Sequence, residues 1–492
     1  MNCNRYGNES HLEKSGSIYY MGKNIIISKY VLTVISLTIS CVAHAGTATA
    51  VENSAHAAKE ESANKKPQRS RFRFVPGRRG FGDPMPFYWN GEYHVFYLTN
   101  PAGNYDVNWE HIVSTDLVNW KELPAALSVD KNDPTGPDGG CIFTGDVIEK
   151  DGVFHAWYTN WNPLNPKGRE FISHATSRDL INWTKHPEHM IAPDGIHYAN
   201  HPTRDFRDPE IFWNPESREY WMILFANVPN QWWGRFALLT SDDLINWKQE
   251  MPIEGVPGDE TPSYLRFRNT HYIIGNDFGY SSAKSARGPY IRPKFWNSIP
   301  VRELDTAGQA AKTTWDGKRY LWFGGWSGRS MPIPREVYEG PEGLLYMKPA
   351  EEIVAFFNKT AIDLTEQPSR TSLAVPPAYM LDYRIKMDPQ SRITISFGGK
   401  YHLGLIPSQA TLSVNGPGID LGRPYGRPCP VDTSESVKIQ VFVDDTLIEC
   451  FINDQFAQTC IVDKWWPMES TLMFSVEGGK VDVHKCLLRV HE

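Results

Sequence analysis

The heptapeptide Ser114-Thr115-Asp116-Leu117-Val118-Asn119-Trp120 recurs as Ser177-Arg178-Asp179-Leu180-Ile181-Asn182-Trp183 and again as Ser241-Asp242-Asp243-Leu244-Ile245-Asn246-Trp247, with its tryptophans 63 and then 64 residues apart. Such regularity marks one supersecondary unit packed against copies of itself. Each copy follows a strand-forming run behind a turn. These runs are Tyr93 to Leu98 after Asn90-Gly91, Val153 to Tyr158 after Asp151-Gly152, and Tyr220 to Phe225 after Pro215-Glu216-Ser217. Weaker copies are His271 to Ile274 and Tyr320 to Phe323, the latter after Asp316-Gly317. Aromatic and β-branched runs bounded by Gly, Asn and Asp are strands. Five such units over residues 71–360 predict an all-β, five-bladed β-propeller. The repeated Asp, Asn, Leu and Trp are expected to close turns and fill seams between blades, without touching a ligand.

The first strand of each unit also aligns. Its openings are Asp83-Pro84, Gly145-Asp146, Asp208-Pro209, Glu260-Thr261-Pro262 and, more weakly, Gly308-Gln309. Innermost propeller strands line the central channel, so acids at their starts are expected to converge on one axial cavity. A funnel holding Asp83, Asp208 and Glu260 suits glycoside hydrolysis. One carboxyl protonates the leaving oxygen, and a second attacks the anomeric carbon or activates water. A third stabilises the developing positive charge, while like-charge neighbours keep one group protonated. A single Asp-Pro is more often turn punctuation; three acids in register on repeated strands favour a site.

These residues carry a family resemblance. Gly82-Asp83-Pro84, the stretch from Trp109 to Leu117, and Arg207-Asp208-Pro209 resemble glycoside hydrolase family 32, which contains invertases, levanases and inulinases. Glu260-Thr261-Pro262 is similar to its Glu-Cys-Pro motif. The run Leu321 to Trp326, Pro334-Arg335-Glu336 with Lys348-Pro349, Val441 to Asp444, and Glu449 to Asn453 match later signatures in the same order. The resemblance covers roughly residues 75–490. It implies that Asp83 is the nucleophile and Glu260 the general acid/base of a retaining reaction. By the same resemblance Asp208, with Arg207 beside it, stabilises the transition state through sugar hydroxyls.

The departures cluster where the family binds sugar. Gly82, Met85 and Pro86 replace asparagine- and glycine-containing positions around the nucleophile, Leu98 stands where glutamine is usual, and Phe143-Thr144-Gly145-Asp146 replaces Phe-Ser-Gly-Ser. A pocket built for a hydroxyl discriminates strongly, because a mismatch leaves buried groups unpaired. Furanoside hydrolysis with altered sugar recognition is therefore expected, with Asp146 as a new hydroxyl contact or, alternatively, bonded to backbone off the cavity. Trp232-Trp233 is a candidate rim platform for the rest of a saccharide, or a packing element between blades.

The chain has 492 residues and a net charge of −7, with 17 Trp, 22 Tyr and 23 Phe. Mild acidity argues against a nucleic-acid partner, and the aromatics suit a carbohydrate substrate. Lys23, Lys29, the apolar run from Tyr30 to Val42 and Ala43-His44-Ala45 read as a signal peptide, cleaved after Ala45 and started at Met21. The run is too short for stable membrane insertion. Residues 46–70 read as a disordered linker. No cofactor or metal is expected, since His197, His201 and the other histidines show no metal spacing, and Cys450 and Cys460 are placed to meet across a hairpin or to remain thiols. From residue 361 to 492, alternating strands such as Arg392 to Phe397 and Lys438 to Val443 predict an antiparallel β-sandwich. The alternatives are an inverting family 43-type arabinofuranosidase and a non-catalytic sugar-binding propeller; the sugar, its linkage and the oligomeric state stay open.

Overall fold

The computed structural model describes residues 72–492, apart from 78–79, 100–106, 202, 232, 256–257, 277–278, 293, 296–298, 301–309, 326–329, 367–371, 417–425 and 463–467. The leader at 1–45, the linker at 46–70, Trp232 and the weak fifth opening Gly308-Gln309 lie outside the described residues. Among the described residues no helix is long and apolar enough to cross a membrane.

Five antiparallel sheets follow one another along the chain. Their innermost strands are Gly82–Trp89, Cys141–Lys150, Phe206–Asn214, Ser263–Phe267 and Lys312–Trp315. Each pairs with the next strand through a tight hairpin, for example Glu92–Leu98 and Val153–Trp161. Asn90-Gly91 and Asp151-Gly152 both have positive φ at the two turn residues, the conformation a two-residue hairpin needs to match strand twist. Among the described residues four blades have four strands and the fourth has three. A six-residue helix, Glu351–Phe356, then leads into two six-stranded sheets that form the predicted sandwich.

The heptapeptide forms the same turn three times. Ser114, Ser177 and Ser241 Oγ donate to Asp116, Asp179 and Asp243, whose Oδ1 atoms accept two backbone N–H groups each. Leu117, Leu180 and Leu244 sit at φ 63°, 63° and 66° and are fully buried. Each repeat tryptophan packs edge-on against the second strand of the preceding blade: Trp183 on Phe96 at 5.9 Å, Trp247 on Trp157 at 5.8 Å and Trp120 on Phe323 at 6.3 Å. The repeat is thus a seam-filling device, and Trp120 on the fifth blade closes the circle.

A ring of side chains latches the inner strands. Gly145 N–H donates to Met85 Sδ at 3.1 Å, Ile211 N–H to Asp146 Oδ2 at 2.8 Å, and Tyr264 N–H to Glu210 Oε1 at 3.0 Å. Thr313 N–H donates to Ser263 Oγ at 3.0 Å and Tyr88 N–H to Thr314 Oγ1 at 3.2 Å. Each of the five seams is crossed by one bond of this ring. Inner strands leave one edge without a strand partner, and burying an unsatisfied N–H costs about 1–3 kcal/mol; the ring satisfies one such group per blade.

Propeller and sandwich share a core. Leu321 and Trp322 of the fifth blade lie in one cluster with Met380, Phe442 and Phe451 of the sandwich. Within it Glu449 accepts from Arg335 Nη2 at 2.6 Å and also pairs with Arg73 Nη1, while Arg73 Nε reaches Asp444 at 2.6 Å. Cys450 and Cys460 are buried thiols: Cys450 pairs in register with Gln458 and Cys460 with Ile448, so they do not face each other.

Candidate active site

Three of the inner strands deliver side chains through an irregular backbone. The ladder skips from Gly82 to Met85 in the first blade and from Arg207 to Glu210 in the third, leaving Asp83-Pro84 and Asp208-Pro209 in β-bulges. Asp83 has φ 42° and Asp208 φ 61°; Thr261 and Ala310, at the corresponding starts in the fourth and fifth blades, have φ 45° and 54°. Non-glycine residues rarely adopt this region, at a cost of roughly 1–2 kcal/mol, and its recurrence around one axis marks a functional centre. A bulge re-aims a side chain that regular pleating would send to a sheet face.

The result is a cavity of about 420 Å³. Asp83, Glu170, Arg207, Asp208, Glu260 and Asn276 supply its polar lining, and Leu98, Phe143, Trp161 and Ala310 its apolar wall, with Thr144 and Thr261 between. The predicted acids Asp83, Asp208 and Glu260, and Arg207 with them, are therefore brought together. Thr144 Oγ1 donates to Asp83 Oδ2 at 2.6 Å. Arg207 Nη2 donates to Glu260 Oε1 at 2.6 Å, and Asn276 Nδ2 to Glu260 Oε2 at 3.3 Å. Thr261 N–H donates to Asp208 Oδ2 at 3.2 Å. The Arg207 guanidinium also contacts Glu170 and Asp205, which hold its plane across the cavity.

Burial separates the acids. Asp208 is buried, whereas the Glu260 side chain is 42% exposed. Burial pushes the Asp83 carboxyl up to about 6, with Thr144 and Lys312 opposing and the Glu260 charge reinforcing the rise. Burial likewise holds Asp208 well above the usual carboxylate range, against the Arg207 charge. Arg207 stays charged because four carboxylates outweigh its own desolvation.

Asp146 is elsewhere. The second blade skips from Ile142 to Gly145, so Phe143 and Thr144 occupy the bulge and Asp146 falls two residues beyond it. Its carboxylate accepts from Val147 N–H at 2.9 Å and Ile211 N–H at 2.8 Å, as part of the inter-blade ring, and it does not line the cavity. The backbone-bonded alternative describes it, and the hydroxyl-contact reading is corrected. Trp232 lies outside the described residues, and its neighbour Trp233 is 44% exposed. Trp109 and His111 are buried packing residues, Trp109 Nε1 donating to Phe143 O at 2.8 Å.

Four lining residues are not marked in the sequence: Glu170, Asn276, Trp161 and Ala310. Glu170 opens the third strand of its blade, a position the inner-strand alignment does not sample. Lys312 is not marked either. It is buried, donating to Pro209 O at 2.9 Å and Glu210 Oε2 at 2.8 Å just after the Asp208 position. The fifth inner strand begins at Lys312, four residues after the predicted opening at Gly308.

Residues 76–327 match the glycosyl hydrolases family 32 N-terminal domain. A sucrose-6-phosphate hydrolase of Escherichia coli is 25% identical over 436 residues, covering 78% of this chain and 86% of its own. A levanase of Bacillus subtilis is 24% identical over 490 residues, covering 84% and 68%. The fold agrees with that of an exo-inulinase from Aspergillus awamori, with a TM-score of 0.68 at 19% identity over 87% of this chain and 99% of that one. A carboxylate-lined axial cavity on this scaffold, with a family match over half the chain, makes the protein a member of glycosyl hydrolase family 32 and a fructosidase-like glycoside hydrolase.

Proposed function

We propose that the protein is an exported, retaining furanosidase in which Asp83 attacks the anomeric carbon and Glu260 serves as general acid and then base. The observation that carries this is the convergence of Asp83, Asp208, Glu260 and Arg207 on one cavity with unequal exposure. A nucleophile gains from an enclosed, pre-organised position, and the Thr144 hydroxyl fixes the Asp83 oxygen. An acid/base must exchange its proton with incoming water once per turnover, which suits the half-open Glu260. Asp208 is locked by the Thr261 N–H and placed to accept sugar hydroxyls, and Arg207 orients Glu260. Export rests on the leader motif before Ala45.

The sugar differs from one that needs a hydrogen-bonding wall. Leu98 lines the cavity where the family has glutamine, with Phe143 as a further apolar lining residue, so a hydroxyl pointed at this wall loses its water partner and gains none. An unpaired group of that kind costs about 1–3 kcal/mol. Screening the purified protein on nitrophenyl furanosides alongside sucrose, inulin and levan tests this. Turnover of a furanoside with weak fructan hydrolysis is expected; robust sucrose, inulin or levan hydrolysis overturns the altered-sugar reading, and an inverted first product overturns retention.

The acid limb of kcat/KM reports groups of the free enzyme. Asp83 attacks only when ionised, and burial pushes its carboxyl up to about 6. Activity is therefore expected to fall as pH drops through about 6. The Lys312 charge lowers the Asp83 value, so Lys312→Met is expected to move this limb to higher pH. A pH–rate series from about 4.5 to 8 on both proteins checks it; an acid limb near the ordinary carboxylate value of about 4, unmoved in the variant, contradicts the assignment.

A further inference from the structure

On the outer edge of the second blade, away from the carboxylate cavity, the sequence His186-Pro187-Glu188-His189 forms one tight turn after the strand Trp183–Lys185. Pro187 opens the 3₁₀ turn with its φ already set. His186 Nδ1, Glu188 and His189 each offer a ligand atom, and these atoms all lie within 4.8 Å of one another. Glu188 Oε1 is 3.3 Å from His186 Nδ1 and 3.9 Å from His189 Nε2. Two ligands about 2.05 Å from a tetrahedral ion stand about 3.3 Å apart, so the first pair already has the spacing and the second needs only a small side-chain movement. All three side chains reach solvent, with 25%, 62% and 25% exposure, so an ion can enter.

The nitrogens behind these atoms have partners. His186 Nε2 lies 2.8 Å from Thr176 Oγ1, and His189 Nδ1 lies 2.9 Å from His174 Nδ1. His174 Nε2 in turn lies 3.0 Å from His155 Nδ1. Two tautomer assignments satisfy this chain. In one, both rings donate to Glu188. In the other, His186 donates to Thr176, His189 to His174, and His174 to His155, which turns the lone pairs of His186 Nδ1 and His189 Nε2 toward the Glu188 carboxylate, the arrangement that a bound cation selects. Back-bonded imidazoles are how metal-binding histidines are oriented. No metal was expected from the spacing of the histidines; the turn compresses i, i+2 and i+3 into one face.

We propose that His186, Glu188 and His189 form a binding site for a borderline transition-metal dication of the Zn²⁺ class, with His174, His155 and Thr176 orienting the ligands. Two imidazoles and one carboxylate select such an ion over Ca²⁺ or Mg²⁺, which take oxygen ligands. Three protein ligands leave a fourth position open to water. His186 also lines a cavity of about 470 Å³ that contains Asp138, paired with Lys185 at 2.6 Å, so a ligand for the open position has room beside the ion.

The test titrates the full, untagged, chelator-treated protein with ZnCl₂ by calorimetry, with Ca²⁺ as comparison. One Zn²⁺ per chain is expected, with no competition from Ca²⁺. His186→Ala and His189→Ala are each expected to abolish that binding step. Thr176→Val is expected to weaken it about 10- to 100-fold, as loss of an orienting partner does. His197→Ala, at another exposed histidine paired with an aspartate, is expected to leave it unchanged. Circular dichroism on every variant verifies folding. Absence of a one-to-one step, or a step that survives in both folded histidine variants, overturns the proposal. So does a Zn²⁺ step displaced by equimolar Ca²⁺.

Discussion

Asp83→Ala is expected to lower kcat by roughly 10⁴-fold or more, the scale on which losing a covalent nucleophile acts, while Glu260→Gln costs roughly 10²–10⁴-fold, the range of general acid–base catalysis. The difference has a structural reason. Asp83 is enclosed beside Thr144, and no other carboxylate approaches from its bulge, so nothing replaces it. Glu260 is 42% exposed, and water or buffer can take over part of its proton transfer. Added azide separates the roles. In Asp83→Ala it attacks from the vacated side and gives a glycosyl azide of inverted configuration; in Glu260→Ala it intercepts the glycosyl-enzyme and gives the retained one. Asp146→Asn serves as control, because that carboxylate bonds Ile211 N–H and stands outside the cavity. Unchanged turnover in folded Asp83→Ala or Glu260→Ala would show that the chemistry lies elsewhere.

The second large effect concerns stability. Glu449 is fully buried between two arginines, Arg335 of the fifth blade and Arg73 of the segment before the first, and it also accepts from Ile333 N–H. Glu449→Ala removes the shared anion and leaves two buried guanidiniums without it. Breaking a buried ion pair from one side costs about 3–5 kcal/mol, so a marked fall in the urea midpoint of the whole chain is expected. Glu449→Gln keeps an acceptor for Ile333 and Arg335 and should lose less. The cavity residues are untouched, so turnover per folded molecule at low denaturant is expected to stay near the unsubstituted level. An unchanged midpoint in Glu449→Ala would mean that the cluster does not hold the two domains together.

These two sites explain why motif residues alone did not reveal their roles. Asp83, Arg207, Asp208 and Glu260 were legible because they open repeated strands and because the family pattern names them. Arg335 and Glu449 belong to equally recognisable motifs, yet they meet each other, 114 positions apart, in the interface beneath the sandwich. Asp146 shared the blade ruler with the acids that line the cavity and differed only in register. Asp83 and Asp208 lie within their bulges, whereas Asp146 follows the Phe143-Thr144 bulge on regular strand, where its carboxylate meets Ile211 N–H of the neighbouring blade instead of the cavity. Glu170 and Asn276 sit on other strands and loops, where no local pattern marks them.

The amino-acid sequence by itself determined the blade period, the hairpin turns, the seam-filling Leu and Trp, and the acids that begin the inner strands. These are local properties, set by turn chemistry, strand periodicity and repetition. Tertiary structure decided which of those acids share a cavity, that the buried Lys312 charge acts on Asp83, that Glu449 joins propeller to sandwich, and that two histidines and a glutamate of one turn face a common point. Those outcomes depend on where bulges fall and how blades close on one another, and such long-range geometry is fixed only when the inner strands pack around their axis.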